Sequence, residues 1–257
     1  MKKTLCFITG CMIAASIASC KKYDNYTAPA ETLTGSILDK NTGKPLQMEQ
    51  GSSNTRLELF ELSYGTSTGN TVLPLYFDVK YDGTFNNSKV FKGTYKIYPT
   101  DGPFVPLVYT SSAGVAIDNG SKTINISGVT TVSFTVEPFL EVEWVGDPVI
   151  NPDNTVTITC KFTRGTAQAD RIFSVRDVFL YVSTTQFVGN SSYDNALSKD
   201  VTYAGTAGDQ LLGQTISITT KAPLGAHRPY YIRVGARTND NVNGRYNYNV
   251  PKIIIMP

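Results

Sequence analysis

The stretch Tyr230-Tyr231-Ile232-Arg233-Val234-Gly235-Ala236 decides the fold. Tyr230, Ile232, Val234 and Ala236 share one face of an extended chain, while Tyr231, Arg233 and Gly235 share the other. A period of two, rich in aromatic and β-branched residues, is a strand signal. Working outward, Thr155 to Phe162 repeats it with Val156, Ile158, Cys160 and Phe162, and Thr131 to Val136 with Val132, Phe134 and Val136. In Arg56 to Leu62, Leu57, Leu59 and Glu61 point one way and Glu58, Phe60 and Leu62 the other. Asp82-Gly83, Asp101-Gly102, Asn119-Gly120, Asp153-Asn154 and Asn243-Gly244 punctuate these runs as tight turns, because such residues tolerate positive φ. A helical period is hinted at only for a turn or two near Ser192–Lys199. The pattern predicts an all-β chain.

Strand signals fill both 33–136 and 139–257, and a β-sandwich takes about 100 residues. Two consecutive antiparallel sandwiches are therefore expected, over 33–136 and 137–257. Their joint is Val136-Glu137-Pro138-Phe139, where proline interrupts ladder pairing. So short a joint implies a fixed angle between the domains. No internal repeat links the halves.

The N-terminus reads differently. Lys2 and Lys3 precede an uncharged apolar run, Leu5 to Ile17. That run is shorter than the roughly 20 residues a membrane span needs, so it reads as a signal peptide. It ends in Ile17-Ala18-Ser19-Cys20, which resembles the lipobox of bacterial lipoproteins. The resemblance implies removal of residues 1–19, lipidation of Cys20 and membrane anchoring through several acyl chains. Residues 20–32 are polar and read as a tether.

Cleavage would change the charge. Lys2 and Lys3 are the only charged residues in 1–19, so Lys+Arg falls from 23 to 21 against 21 Asp+Glu. A near-neutral chain without a basic patch excludes nucleic acid as a partner. Cys6 and Cys11 would leave and Cys20 would be acylated, so Cys160 stands alone and no intramolecular disulfide is expected.

Two further resemblances rest on motifs. Gly35-Ser36-Ile37-Leu38-Asp39, Thr42-Gly43-Lys44-Pro45-Leu46, Asp82-Gly83-Thr84-Phe85 and Gly93-Thr94-Tyr95-Lys96-Ile97 resemble the carboxypeptidase regulatory-like, or transthyretin-like, sandwich. Leu224 followed by Tyr230 to Ala236 resembles the tyrosine corner of fibronectin type III-like, Ig-like sandwiches. That implies a Tyr230 hydroxyl bonded back to backbone near Leu224, and Trp144 in the core.

The order lipobox, regulatory-like sandwich and fibronectin-like sandwich resembles the uncharacterised two-domain lipoproteins found beside SusC/SusD-type importers in Bacteroidetes. Tyr23-Asp24-Asn25-Tyr26, Phe91-Lys92-Gly93-Thr94-Tyr95, Tyr231 to Arg237 and Tyr246-Asn247-Tyr248-Asn249 carry it. It implies an outer-membrane setting in polysaccharide or oligosaccharide uptake, with SusC/SusD-like proteins as partners. Surface export in that group is helped by acidic residues after the cysteine, and here Asp24 alone follows Lys21 and Lys22. The expected location is the outer membrane, with the cell surface favoured over the periplasmic face.

Several chemistries are missing. The one histidine, His227, lies in a loop, so with Cys160 alone no Cys/His metal site can assemble. No nucleophile elbow appears, and no glycine-rich phosphate loop opens a helix. Asn239 to Gly244 alternates oxygen ligands but has one carboxylate and no bidentate Glu, too little charge to hold calcium tightly. No catalytic residue, cofactor or metal is expected. Carbohydrate recognition remains, because an aromatic ring matches the apolar face of a pyranose while Asn, Asp and Arg satisfy its hydroxyls. Tyr193, Tyr203, Arg237, Asn239, Asn241 and Arg245 are the candidate binding residues. The sequence leaves two roles open: glycan binding for an importer, or docking to it with no sugar contact.

Overall fold

The computed structural model describes residues 27–51, 54–63, 72–111, 113–240 and 244–257. Cys20, Tyr64, Asn241 and Asn243, with the signal and most of the tether, lie outside the described residues.

The first domain contains β1 (Glu31–Asp39), β2 (Arg56–Glu61), β3 (Leu75–Asp78), β4 (Thr84–Val90), β5 (Gly93–Thr100), β6 (Val108–Thr110), β7 (Ala116–Asp118), β8 (Lys122–Ile126) and β9 (Val129–Val136). Two sheets, β4-β1-β9 and β3-β2-β5-β8, carry the core, and β6-β7 forms a separate hairpin. Leu33 and Ile37 of β1 meet Leu57, Leu59, Tyr95, Ile97 and Phe134 there, all essentially without exposure. Burying one such side chain contributes about 1.5–3 kcal/mol.

The expected antiparallel sandwich is present with one departure. β1 and β9, the first and last strands of the domain, pair in parallel from Thr32↔Val129 to Asp39↔Val136. Period-two patterning carries no information on strand direction, so nothing local signals this pairing. Gly35 makes it possible, since a Cβ there would lie 1.7 Å from the Val132 carbonyl oxygen and 2.7 Å from the Phe85 ring.

The second domain contains β10 (Leu140–Trp144), β11 (Val149–Ile150), β12 (Val156–Arg164), β13 (Val175–Ser183), β14 (Lys199–Thr202), β15 (Thr215–Thr219), β16 (Pro229–Thr238), β17 (Asn247–Tyr248) and β18 (Lys252–Ile255). One sheet places β12 against β10, β11 and β15; the other runs β14-β13-β16, with β17 and β18 both on β16. The inward row Val156, Ile158, Cys160 and Phe162 faces Ile232, Val234 and Ala236 across a fully buried core. Burial pushes the Cys160 thiol up to about 12, so it remains a small apolar side chain.

The Tyr230 hydroxyl bonds back to backbone beside Leu224. The Tyr230 hydroxyl accepts from the Gly225 backbone N–H at 2.9 Å and from Arg228 Nε at 2.6 Å. Trp144 is half-buried at the edge of the core rather than inside it, and its Nε1 donates to the Val250 carbonyl at 2.7 Å. Short 3-10 turns lie at Ala169–Arg171 and Ala207–Leu211, and Ser192–Lys199 forms no helix. His227 is exposed in its loop, with φ of 59°.

Candidate functional site

Alternation puts Arg233 on the face of β16 opposite the core, yet it is 1% exposed. The first domain covers it. Arg233 Nη1 donates to the Met48 carbonyl at 2.9 Å and to the Val188 carbonyl at 3.4 Å, and Nε donates to the Asn249 carbonyl at 2.9 Å. Nη2 reaches Gln47 Oε1 at 3.4 Å and the Tyr81 carbonyl at 3.5 Å. Its guanidinium also stacks 4.2 Å from the centre of the Tyr248 ring. Burial lowers its pKa to about 10, so it stays charged at neutral pH.

Glu49, 5% exposed, answers that charge from the first domain. It accepts from the backbone N–H of Asn190 at 2.8 Å and of Ser191 at 3.3 Å, and from the Tyr248 hydroxyl. Tyr248 thus stands between the cation over its ring and the carboxylate at its hydroxyl. Burial first, then Glu49, raises the Tyr248 pKa and keeps the phenol protonated.

Polar contacts pin the rest of the seam. Asn247 Nδ2 donates to the Pro103 carbonyl at 2.9 Å, while its Oδ1 accepts from the Leu140 N–H at 3.1 Å. Asn41 Nδ2 donates to Glu141 Oε1 at 2.6 Å and to the Gly165 carbonyl at 2.7 Å. At the joint, Glu137 accepts from Thr166 Oγ1 at 2.6 Å, Lys40 Nζ at 3.0 Å and Gln168 Nε2 at 3.1 Å. Burial alone would raise the Glu137 pKa, but these bonds outweigh it and hold the carboxyl at about 2.

Between the pinned domains lies a cleft of about 670 Å³. Asp39, Lys44, Pro45 and Leu46 line it from the first domain, and Glu141, Glu143, Asn249 and Val250 from the second. Most of its carboxylates are already engaged. Asp39 accepts from the Asn41 N–H and Thr42 Oγ1, Asp82 from Thr84, and Glu143 faces Lys161 Nζ at 3.5 Å. Glu141 differs: burial raises its pKa despite the Asn41 bond. Asn249, 4% exposed, uses Oδ1 to accept the Val234 N–H at 2.9 Å, while its Nδ2 has no partner among the described residues. Among the described residues no group of three His, Cys, Asp or Glu side chains is placed to hold a metal ion.

Residues 31–136 match the family model of the DUF3823 N-terminal domain, described as a protein of unknown function. Residues 145–251 match DUF3823_C, a domain of unknown function. The chain belongs to the DUF3823 family. It is 32% identical to a DUF3823 protein of Bacteroides uniformis, whose crystal structure superposes with a TM-score of 0.80 over 89% of this chain and 100% of that one. A DUF3823 protein of Parabacteroides merdae shares the fold at 20% identity and a TM-score of 0.64, covering 89% of this chain and 100% of the other. So does a Bacteroides uniformis protein described as a "putative carbohydrate binding protein", at 18% identity and 0.66, with the same coverage. No curated protein matches the sequence.

The DUF3823 fold separates the sequence-predicted binding residues. Tyr193 joins an aromatic stack, with ring centres 5.2 Å from Phe179 and 5.3 Å from Tyr181. Arg237 sits at the same stack, 4.5 Å over Tyr246, with Nε and Nη2 on the Asp177 carboxylate at 2.9 Å. Gly235 lets the stack close: a Cβ there would lie 2.8 Å from Tyr248, 3.0 Å from Tyr246 and 3.1 Å from Tyr181. Tyr203 packs elsewhere, against the main core of the second domain. Asn239 is exposed, Arg245 lines a polar groove at the seam, and Asn241 lies outside the described residues. Arg233, Glu49 and Asn249 were not singled out by sequence. The usable signal was Gly235, because a glycine inside a strand marks a close approach.

Proposed function

We propose that this DUF3823 protein is a lipid-anchored outer-membrane protein, displayed at the cell surface, that binds carbohydrate for a SusC/SusD-type importer without transforming it. The 670 Å³ interdomain cleft, walled by polar and apolar side chains from both sandwiches, carries the reading. The cleft offers sugar hydroxyls the Gln47 amide and the Glu141 carboxyl, and offers pyranose C–H faces Leu46 and Val250. The description of one structural relative as carbohydrate-binding agrees with it. Hydrolysis is disfavoured, because glycosidases need two available carboxyls and Asp39, Asp82 and Glu143 are held by their own neighbours.

Calorimetry of residues 21–257 against a broad polysaccharide panel tests the binding. Saturable heat with at least one glycan is expected, and none across the panel overturns the reading. Cys20→Ala tests the anchor: the variant should lose lipid labelling and leave the membrane fraction. A second role, docking to the importer, draws on Ile253 and Ile255, which are 59% and 73% exposed on β18. Co-purification with a SusC/SusD-like complex, without glycan binding, would favour it.

A further inference from the structure

A second concavity opens at the seam, about 460 Å³ in volume and lined by Gly51, Asn54, Arg56, Asp78, Asp101 and Arg245. Through Gly51, Asn54 and Asp78 it continues into about 310 Å³ bordered by Gln50 and Lys80. The ionic inventory is uneven. Arg56 is committed to Asp101, with Nη2 at 2.5 Å and Nε at 2.7 Å, and its guanidinium lies 4.2 Å over the Tyr76 ring. Arg245 has no ion pair, and its Nε is buried with no partner among the described residues. Lys80 adds a second cation, against Asp78 alone. A planar guanidinium that lines the groove without an ion pair among the described residues suits a carboxylate or sulfate, which its fork of N–H donors can hold.

We propose that this groove takes the acidic group of a charged glycan, a uronate carboxylate or a sulfate ester, with Arg245 as the anion-binding residue. The proposal rests on the carbohydrate-binding reading and narrows its ligand class. Asn54 and Gln50 can give and take the hydrogen bonds that neighbouring hydroxyls need, and Asp78 can accept them. At the Arg245 end the walls are mainly polar and give peptide side chains little apolar surface, which favours a sugar over an acidic peptide.

Calorimetry of residues 21–257 with oligogalacturonate, its methyl ester, a sulfated galactan oligomer and polyglutamate tests this. At least one acidic oligosaccharide should bind about tenfold or more tighter than the uncharged ester, and Arg245→Gln should remove that margin. Arg245→Lys should retain part of it, with an unchanged melting temperature showing that both variants fold. Added salt should weaken the acidic ligand more than the ester. Equal affinity for acid and ester, undiminished binding by Arg245→Gln, or polyglutamate binding as tightly overturns the inference. A neutral glycan that binds while every acidic one fails sinks the inference and leaves the carbohydrate reading standing. Failure of all glycans, neutral and acidic, sinks both.

Discussion

Arg233 Nη1 donates to the Met48 carbonyl at 2.9 Å, across 185 positions of sequence and across the boundary between the two domains. The bond lies in a network that is buried, charged and shared. Arg233 and Glu49 reach it from opposite domains, and Tyr248 touches both. A buried cation with several carbonyl partners tolerates little displacement, since each lost bond leaves a desolvated group behind. The two sandwiches therefore behave as one body, and the cleft between them is formed before any ligand arrives.

Removing the cation should uncouple the domains. Arg233→Ala leaves the Met48 and Asn249 carbonyls short of a donor and Glu49 without its counter-charge. A loss of about 3–5 kcal/mol is expected, the range for breaking a buried charged network. Calorimetric melting should turn from one transition into two. One unsplit transition at the original temperature would contradict the coupling.

Acid should loosen the joint at Glu137. Its folded pKa, about 2, lies below the ordinary 4.5, so its contribution is fully present above pH 4.5 and is lost as pH falls through 2. Urea midpoints measured between pH 6 and pH 2 should fall less steeply for Glu137→Gln than for the unaltered chain. Parallel curves would show that this carboxylate is not linked to folding.

Gly235→Ala places a methyl group where three tyrosine rings converge. Overpacking of this kind costs about 1–3 kcal/mol. A lower urea midpoint and a changed near-ultraviolet dichroism signal are expected, since Tyr181, Tyr246 and Tyr248 must shift. An unchanged tyrosine signal would mean that the rings are not packed against that backbone.

Glu141→Ala deletes a carboxyl that lines the cleft. Glycan affinity in the cleft should weaken by about tenfold, the worth of one hydrogen bond to a ligand. Arg245→Gln should leave a neutral glycan bound in the cleft unaffected. Calorimetry on both variants separates the two sites.

The core was legible because alternation is local. Each of Val156, Ile158, Cys160 and Phe162 is buried, as its period of two requires, and so are Tyr230, Ile232, Val234 and Ala236. The seam was not legible for the complementary reason. A period of two separates the faces of β16 but cannot say that the second face meets another domain, so Arg233 reads as a solvent-facing cation. Tyr193 and Arg237 were conspicuous by type, yet their partners are distant in sequence: Tyr181 and Asp177 come from β13, and Tyr246 from just before β17. Asn249 differs from other asparagines only in what fails to reach its Nδ2, a property of the assembled fold.

The parallel pairing of β1 with β9 also sets a schedule for folding after export. Ser36 and Ser133 face each other from positions 97 residues apart. On the proposed export route the unfolded chain clears the inner membrane N-terminus first, so β1 can take β4 along one edge early, but its other edge stays open until β9 emerges. The first domain thus completes its sheet only when its last strand arrives, at the threshold of the second domain. Such late, non-local closure makes for slow folding, and it places the window for chaperone capture or mispairing at the moment when residues 129–136 emerge.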